Sequence, residues 1–92
     1  VGIKENFLSD ISIYPNPFSE TTTINYNLDY PAFVSIDIYN SFGNKIANVA
    51  NEFKDAGEHE AVFDGSGFPS GVYYYTIRIG GKVESGKLAI IK

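Results

Sequence analysis

The chain has 92 residues, a formal net charge of −4 and no cysteine, which excludes a disulfide framework and a thiolate metal site. Its seven Lys and Arg residues are scattered, so no basic stripe of the kind that binds nucleic acid is present. No apolar run approaches the about 20 residues of a membrane-spanning helix. Seven Tyr and seven Phe residues favour β-sheet, because aromatic side chains suit a pleated, half-buried surface.

Two-residue alternation of apolar and polar side chains is the dominant pattern, and turn residues interrupt it at regular intervals. The first alternating segment ends at Pro15-Asn16-Pro17, because each proline removes a backbone donor. The fourth segment has an ambiguous pattern, and Asn51–Gly57 after it is polar and predicted to be a loop. In chain order, the seven predicted strands are Leu8–Tyr14, Thr21–Leu28, Ala32–Tyr39, Lys45–Val49, Glu58–Asp64, Val72–Ile79 and Lys82–Ile91.

The strand predicted over Val72–Ile79 has the clearest pattern. Tyr73 and Tyr75 share one face with two isoleucines and are predicted to enter the core, which leaves Tyr74 on the opposite face. Gly80-Gly81 then predicts a two-residue hairpin turn. Each half-apolar strand must bury its apolar face, and without a helix the sheet that they form can do so only against a second sheet. The predicted fold class is therefore an all-β, immunoglobulin-like or fibronectin-III-like sandwich of about seven antiparallel strands, with a small open barrel as the second choice.

Catalytic chemistry has few candidate residues. His59 is the only histidine, and its position predicts a partly buried strand residue on the face of Ala61 and Phe63 rather than a catalytic base. Nothing resembles a nucleophile elbow. Gly65-Ser66-Gly67 is turn chemistry, because it lacks the Gly-Lys-Ser/Thr ending of a phosphate loop. We therefore expect no enzyme activity, no cofactor and no catalytic residue.

The acidic residues and tyrosines leave two alternatives open. Single aspartates are expected alone on solvent faces or in loops; these are Asp10, Asp37, Asp55 and Asp64. A loop calcium ion that uses Asp29, Asp55 or Asp64 stays open. Consecutive tyrosines cannot form a flat sugar platform, and their hydroxyl groups are expected to tie loops to backbone, as in tyrosine corners. Carbohydrate binding nevertheless stays open.

The order of the motifs is more specific than any single one. It runs through Ile13-Tyr14-Pro15-Asn16-Pro17-Phe18, Thr22-Thr23-Ile24-Asn25-Tyr26, Val34-Ser35-Ile36-Asp37-Ile38-Tyr39-Asn40 with Gly43, Ala56-Gly57 with His59, Pro69-Ser70-Gly71-Val72-Tyr73-Tyr74-Tyr75 and Lys87-Leu88-Ala89-Ile90-Ile91-Lys92. This succession resembles the type A C-terminal sorting domain of the type IX (Por) secretion system of Bacteroidota. Phe63 departs from the pattern, since many relatives carry Trp there, and this changes the volume of a core position. The motifs also partly resemble the immunoglobulin-like module of flagellar hook-capping proteins.

The resemblance implies a secretion and sorting signal with no active site of its own. It implies that an upstream cargo domain in the same chain crosses the outer membrane through the secretion machinery, passes through the periplasm and reaches the cell surface or medium. A surface sortase would remove the domain. The chain starts at Val1 without Met or a secretory signal, so we expect a processed piece. Residues 1–10 are then the end of a linker, and residues 11–92 are the sorting domain.

Recognition by a partner needs an exposed element on a rigid scaffold. The terminal strand and the Pro-Ser-Gly-Val-Tyr turn are the best candidates, and if the strand lies at a sheet edge, its unpaired backbone is open to strand addition. The predicted recognition residues are Pro69, Gly71, Tyr73, Lys87, Ile90 and Lys92. The alternative functions are a carbohydrate-binding module or a structural immunoglobulin-like module of a secreted multidomain enzyme.

Overall fold

The computed structural model describes residues 11–92, so Leu8, Ser9 and Asp10 of the first predicted strand lie outside the described residues. Within this range the chain forms strands and turns and no helix. The seven strands are β1 (Ser12–Tyr14), β2 (Thr21–Leu28), β3 (Ala32–Tyr39), β4 (Lys45–Lys54), β5 (Gly57–Asp64), β6 (Gly71–Ile79) and β7 (Lys82–Ile90).

The strands form two antiparallel sheets. The three-stranded sheet has the order β1-β2-β5, and the four-stranded sheet has the order β4-β3-β6-β7. The chain enters the four-stranded sheet at β3, returns to the other sheet at β5 and re-enters at β6. The predicted sandwich of seven antiparallel strands is therefore confirmed, and β7 is an edge strand.

The core follows the alternation that the sequence shows. Every second side chain of β2, β3 and β6 lies between the sheets, and burial of each such aliphatic side chain contributes about 1.5–3 kcal/mol. The prediction for the tyrosine run is confirmed for Tyr73, which is 5% exposed, and for Tyr74, which is 39% exposed, whereas Tyr75 packs against the core and is only partly buried. Phe63 lies in the core, as expected. The other apolar residues of the buried set are Phe18, Ile24, Tyr26, Leu28, Ala32, Val34, Ile36, Ile38, Ala61, Ile77, Ile79, Leu88 and Ile90.

The loop predicted over Asn51–Gly57 is wrong. Strand β4 continues to Lys54, where it pairs with the start of β3, and β5 already begins at Gly57. The pairing of β3 with β4 shifts register twice, between Ile36 and Asp37 and between Ile38 and Tyr39. Each shift changes which residues of β4 face the core. The ambiguous sequence pattern of this strand therefore has a physical cause.

Asp37 also differs from expectation, because its carboxylate is neither alone nor solvated. It is only 4% exposed on the outer face of the four-stranded sheet. Asn48 donates a side-chain hydrogen bond of 2.7 Å to Asp37 Oδ1, and the Lys45 ammonium lies 3.5 Å from the same oxygen. Asn48 and Lys45 come from β4, so Asp37 holds the irregular strand against β3.

His59 occupies the predicted place. Its side chain is partly buried on β5, and its ring lies 5.6 Å from the ring of Tyr26. Its Nε2 donates a 2.7 Å hydrogen bond to the Asp55 carbonyl oxygen. These contacts fix the β4–β5 connection, so the predicted structural role of His59 is confirmed.

The chain leaves β1 through Pro15-Asn16-Pro17, and both prolines follow cis peptide bonds. Thr22 on β2 is fully buried, and its hydroxyl donates a 2.6 Å hydrogen bond to the Pro15 carbonyl oxygen. The first residue of the crossing segment is therefore fixed by the neighbouring strand.

We expect Thr22→Val to lower the free energy of unfolding by about 0.5–1.5 kcal/mol, because it keeps the side-chain shape and removes the donor to Pro15. Urea denaturation measures this loss. Thr23→Val is the matched control, since Thr23 faces outward on the same strand without such a bond. Equal losses in both variants would contradict the role of the Thr22 hydrogen bond.

Candidate recognition surface

Three of the six predicted recognition residues meet at one end of the sandwich. Pro69 is exposed in the β5–β6 loop, Gly71 is exposed at the start of β6, and Lys92 lies against this loop. The Lys92 ammonium donates hydrogen bonds of 2.7 Å to the Ser66 carbonyl and 2.6 Å to the Phe68 carbonyl. The Lys92 N–H also donates a 3.0 Å bond to Ser70 Oγ. We call the exposed residues Ser66, Pro69, Ser70, Gly71 and Lys92 the end surface.

The loop under the end surface is built by short-range hydrogen bonds. The Phe68 N–H donates to the Gly65 carbonyl oxygen over 3.0 Å, which closes a turn. Asp64 Oδ1 accepts a 3.0 Å bond from the Ser66 N–H. This bond and the nearby Lys92 charge lower the pKa of the Asp64 carboxyl group from its ordinary value. The turn is therefore held by its backbone bonds, by the Asp64 carboxylate and by the Lys92 ammonium that lies against it.

Tyr73 supports the same loop from inside. Its hydroxyl donates a 2.7 Å hydrogen bond to the Pro69 carbonyl oxygen. The expectation that a tyrosine ties a loop to the backbone is confirmed for this residue. Since its side chain is buried, Tyr73 shapes the end surface without being part of it.

A row of aromatic rings runs beneath the end surface. The ring of Phe18 meets that of Phe63 edge to face at 6.0 Å, and Phe63 stacks with Phe68 at 5.9 Å. Phe68 in turn lies 6.4 Å from Tyr73. Such pairs add about 0.5–1.5 kcal/mol beyond the burial of their area. The row connects the crossing segment after β1 to the loop before β6.

The terminal strand is closed along half of its free edge. The Phe18 N–H donates to the Ala89 carbonyl over 3.0 Å, and the Ile91 N–H donates to the Phe18 carbonyl over 2.9 Å. The Asn16 side chain accepts from the Ala89 N–H over 3.1 Å and donates to the Lys87 carbonyl over 3.2 Å. The outward backbone groups of the terminal strand are therefore paired from the Lys87 carbonyl to the Ile91 N–H, and the expected unpaired edge is absent there.

Two predicted residues lie apart from the end surface. Ile90 is 1% exposed, so its side chain belongs to the core. Lys87 is exposed on the outer face of the four-stranded sheet, where it pairs across strands with Tyr74. The structure thus joins Pro69, Gly71 and Lys92, with Tyr73 beneath them, and leaves Lys87 on another surface.

Sequence reasoning missed Asn16 and Phe18, which pin the terminal strand. The sequence predicts a strand end at the Pro-Asn-Pro run and a family motif over Ile13–Phe18, but neither predicts a contact with β7. It also missed Phe42, which is 87% exposed at the β3–β4 hairpin. Phe42 borders a groove of about 280 Å³ between that hairpin and the Phe68–Val72 segment.

The alternatives for ion and sugar binding gain little from the geometry. Residues 11–92 contain no group of three or more His, Cys, Asp or Glu side chains that could hold a metal ion. An open depression of about 710 Å³ lies on the outer face of the three-stranded sheet. Its lining includes Tyr14, Asn25, Asn27, Glu58 and Glu60. One exposed tyrosine with acidic neighbours does not form a row of stacking platforms.

Fold and surface together define a β-sandwich that presents a fixed loop surface. The family model for the secretion system C-terminal sorting domain matches residues 12–92. The chain belongs to this family, and it is a C-terminal sorting signal of type IX secretion. Domains of this family are not catalytic. A search of curated proteins finds no match. No helix long and apolar enough to span a membrane occurs in the described part of the chain.

We expect Tyr73→Phe to lower the free energy of unfolding by about 0.5–1.5 kcal/mol, because it removes only the hydroxyl that holds the Pro69 carbonyl. Tyr74→Phe is the control, since Tyr74 lies on the outer face of the same strand. Chemical denaturation gives both values, and NMR shifts of residues 66–71 report the loop. A loop unchanged in Tyr73→Phe would contradict its dependence on this bond.

Gly65→Ala tests the packing of the loop on the aromatic row. A Cβ at Gly65 would lie 2.9 Å from Phe18 Cε2 and 3.0 Å from Ile90 Cδ1, so core side chains must move. We expect a loss of about 1–3 kcal/mol in the free energy of unfolding. Gly67→Ala in the same loop is the control, because a Cβ there meets nothing within 4 Å. Thermal or urea unfolding that gives equal values for the two variants would disprove the close packing.

Proposed function

We propose that this domain carries an upstream cargo domain across the outer membrane, and that the secretion machinery reads its end surface. The observation that carries the second part is the attachment of Lys92 to the β5–β6 loop by three hydrogen bonds. These bonds place an ammonium group beside exposed Pro69 and Gly71 in one orientation.

The end surface has the properties that a recognition surface needs. Its residues are exposed, and its shape is set from below by the Tyr73 hydroxyl and the aromatic row. A surface fixed before binding loses little conformational entropy when a partner binds. The Lys92 ammonium adds a charge that selects a partner with an acidic or carbonyl-rich face.

The proposed route follows from the family. The cargo and this domain pass through the periplasm, cross the outer membrane of a Bacteroidota cell, and reach the cell surface or the medium. A surface sortase then removes the domain, with residues 1–10 as the linker to the cargo. The domain has no enzyme activity and needs no cofactor in this role. The carbohydrate-binding alternative has weaker support, because the family match assigns the sorting role to nearly the whole chain.

A reporter fusion tests the sorting role. Residues 1–92 are placed behind a periplasmic reporter in a strain with a type IX system, and reporter activity is measured in cells and medium. We expect the reporter to move to the surface or medium, and to stay in the periplasm of a strain without the system. Retention in both strains would reject the proposed function.

Lys92→Gln tests the end surface without unfolding the domain. We expect export to fall about tenfold or more, equivalent to about 1.4 kcal/mol of recognition, while thermal stability changes little. Lys54→Gln is the control, because Lys54 pairs with Glu52 on β4, outside the end surface. Substitution is sharper than deletion of Lys87–Lys92, which would remove the buried side chains of Leu88 and Ile90. Normal export of Lys92→Gln would remove Lys92 from the recognition surface.

A further inference from the structure

The outer edge of β7 has two halves: one half is paired with Asn16 and Phe18, and the other half is open. The Ala89 N–H and carbonyl point away from β6, because they bond to Asn16 and Phe18. In an antiparallel pair, residues two positions apart direct their backbone groups the same way. The N–H groups of Val83, Ser85 and Lys87 and the carbonyls of Val83 and Ser85 therefore also point away from β6. The described residues supply no partner for these five groups.

This open half lacks two common features that protect sheet edges, a proline and a β-bulge. It contains no proline, and β7 pairs with β6 in one continuous register from Lys82 to Ile90. The opposite edge strand of the same sheet, β4, is interrupted by two register shifts. A regular edge with free donors and acceptors at two-residue spacing is the geometry to which an extended chain adds.

Glu84 lies on the inner side of this open edge. It pairs across strands with the buried Ile77, so its side chain faces the space between the sheets. Its Oε1 atom is buried without a hydrogen-bond partner. Burial raises the pKa of the Tyr75 phenol, and the nearby Glu84 charge raises it further. A shielded carboxylate oxygen without a partner destabilises the free domain and needs an explanation.

The neighbouring Gly86 keeps this inner side shallow. A Cβ at Gly86 would lie 2.5 Å from the Tyr75 hydroxyl oxygen and 2.7 Å from the ring. The Tyr75 ring therefore lies across β7 at Gly86, which is two positions after Glu84 and on the same face of the strand. An added strand would meet a ring and a carboxylate on this side, which suits a long basic side chain with an apolar stem.

We propose, building on the sorting function above, that the β7 edge from Val83 to Lys87 receives an extended strand of a protein partner, which directs a Lys or Arg side chain to Glu84. The added strand forms backbone hydrogen bonds with Val83, Ser85 and Lys87. Two copies of this chain are a poor alternative, because antiparallel pairing about Ser85 brings two inward-facing Glu84 carboxylates to the same seam. The open edge therefore favours a basic strand of another protein over the same edge of a second copy of this chain.

The first test uses the whole chain and two synthetic ten-residue peptides, one alternating lysine with valine and the other alternating glutamate with valine. Amide hydrogen exchange by NMR is the readout. In the free chain, we expect Val83, Ser85 and Lys87 amides to exchange rapidly, while those of Ala89 and Ile91 are protected. The lysine peptide should slow the first three amides at least about tenfold, and the glutamate peptide should not. Protection of these amides in the free chain, or equal effects of both peptides, would overturn the proposal.

Ser85→Pro is the blocking variant, because it removes an outward donor and no bond to β6. Ser85→Ala is its matched control. We expect Ser85→Pro to lose protection by the lysine peptide and Ser85→Ala to keep it, with both chains folded by NMR. Glu84→Gln should weaken the lysine peptide about tenfold while leaving the domain as stable or more stable, which a purely structural role of Glu84 would not produce. An unchanged peptide effect in Ser85→Pro would overturn the proposal.

The reporter fusion separates this proposal from the sorting function. If the wild-type fusion is exported, Ser85→Pro should reduce export about tenfold or more and Ser85→Ala should not. Equal export of the two variants would show that the edge is not used by the machinery and would overturn its role as the partner site. If the wild-type fusion is not exported, the sorting function fails, and the peptide measurements alone decide whether the edge binds a basic strand.

Discussion

The pairing of Asn16–Phe18 with the edge of β7 is the constraint on which the rest of the recognition end depends. It carries the chain from the three-stranded sheet to the four-stranded sheet and holds the two together at one side. The same pairing places the Phe18 ring against Phe63, and the ring contacts continue through Phe68 to Tyr73. Tyr73 fixes the Pro69 carbonyl, and Lys92 fixes the carbonyls beside it. The exposed loop therefore takes its shape from a contact with the first strand region of the domain.

Strand positions could be predicted because period-two alternation reports directly on burial in β2, β3 and β6. The prediction failed at β4, where two register shifts break the alternation, and at Asp37, whose partners come from that irregular strand. The candidate site was predictable in part. Pro69, Gly71 and Lys92 carry turn and charge signals in the sequence. The pinning of β7 by Asn16 joins residues more than seventy positions apart, and no local pattern encodes such a contact.

A sorting function explains why the informative features are surfaces rather than pockets. The end surface presents side chains and a fixed ammonium group, whereas the open part of β7 presents backbone groups beside a carboxylate. These two regions differ in chemistry and use different residues: the end surface joins the β5–β6 loop to Lys92 after β7, and the open edge belongs to β7 itself. Both are also supported by Tyr residues of β6, since Tyr73 holds the loop and Tyr75 crosses Gly86. A single hairpin, β6–β7, thus organises both regions.

Because Asn16–Phe18 must pair with β7, the end surface has its fixed shape only in the completely folded domain. Contacts over this sequence separation require the closure of a long loop, and the contacts must offset the entropy that this closure costs. A polypeptide that is only partly synthesised, or in which the crossing segment is detached, lacks the support under Phe68 and Pro69. Its loop then has no fixed shape, even though the Pro-Ser-Gly sequence is present. A machine that binds the shape rather than the sequence would therefore export finished domains and ignore incomplete ones, without a separate quality-control step.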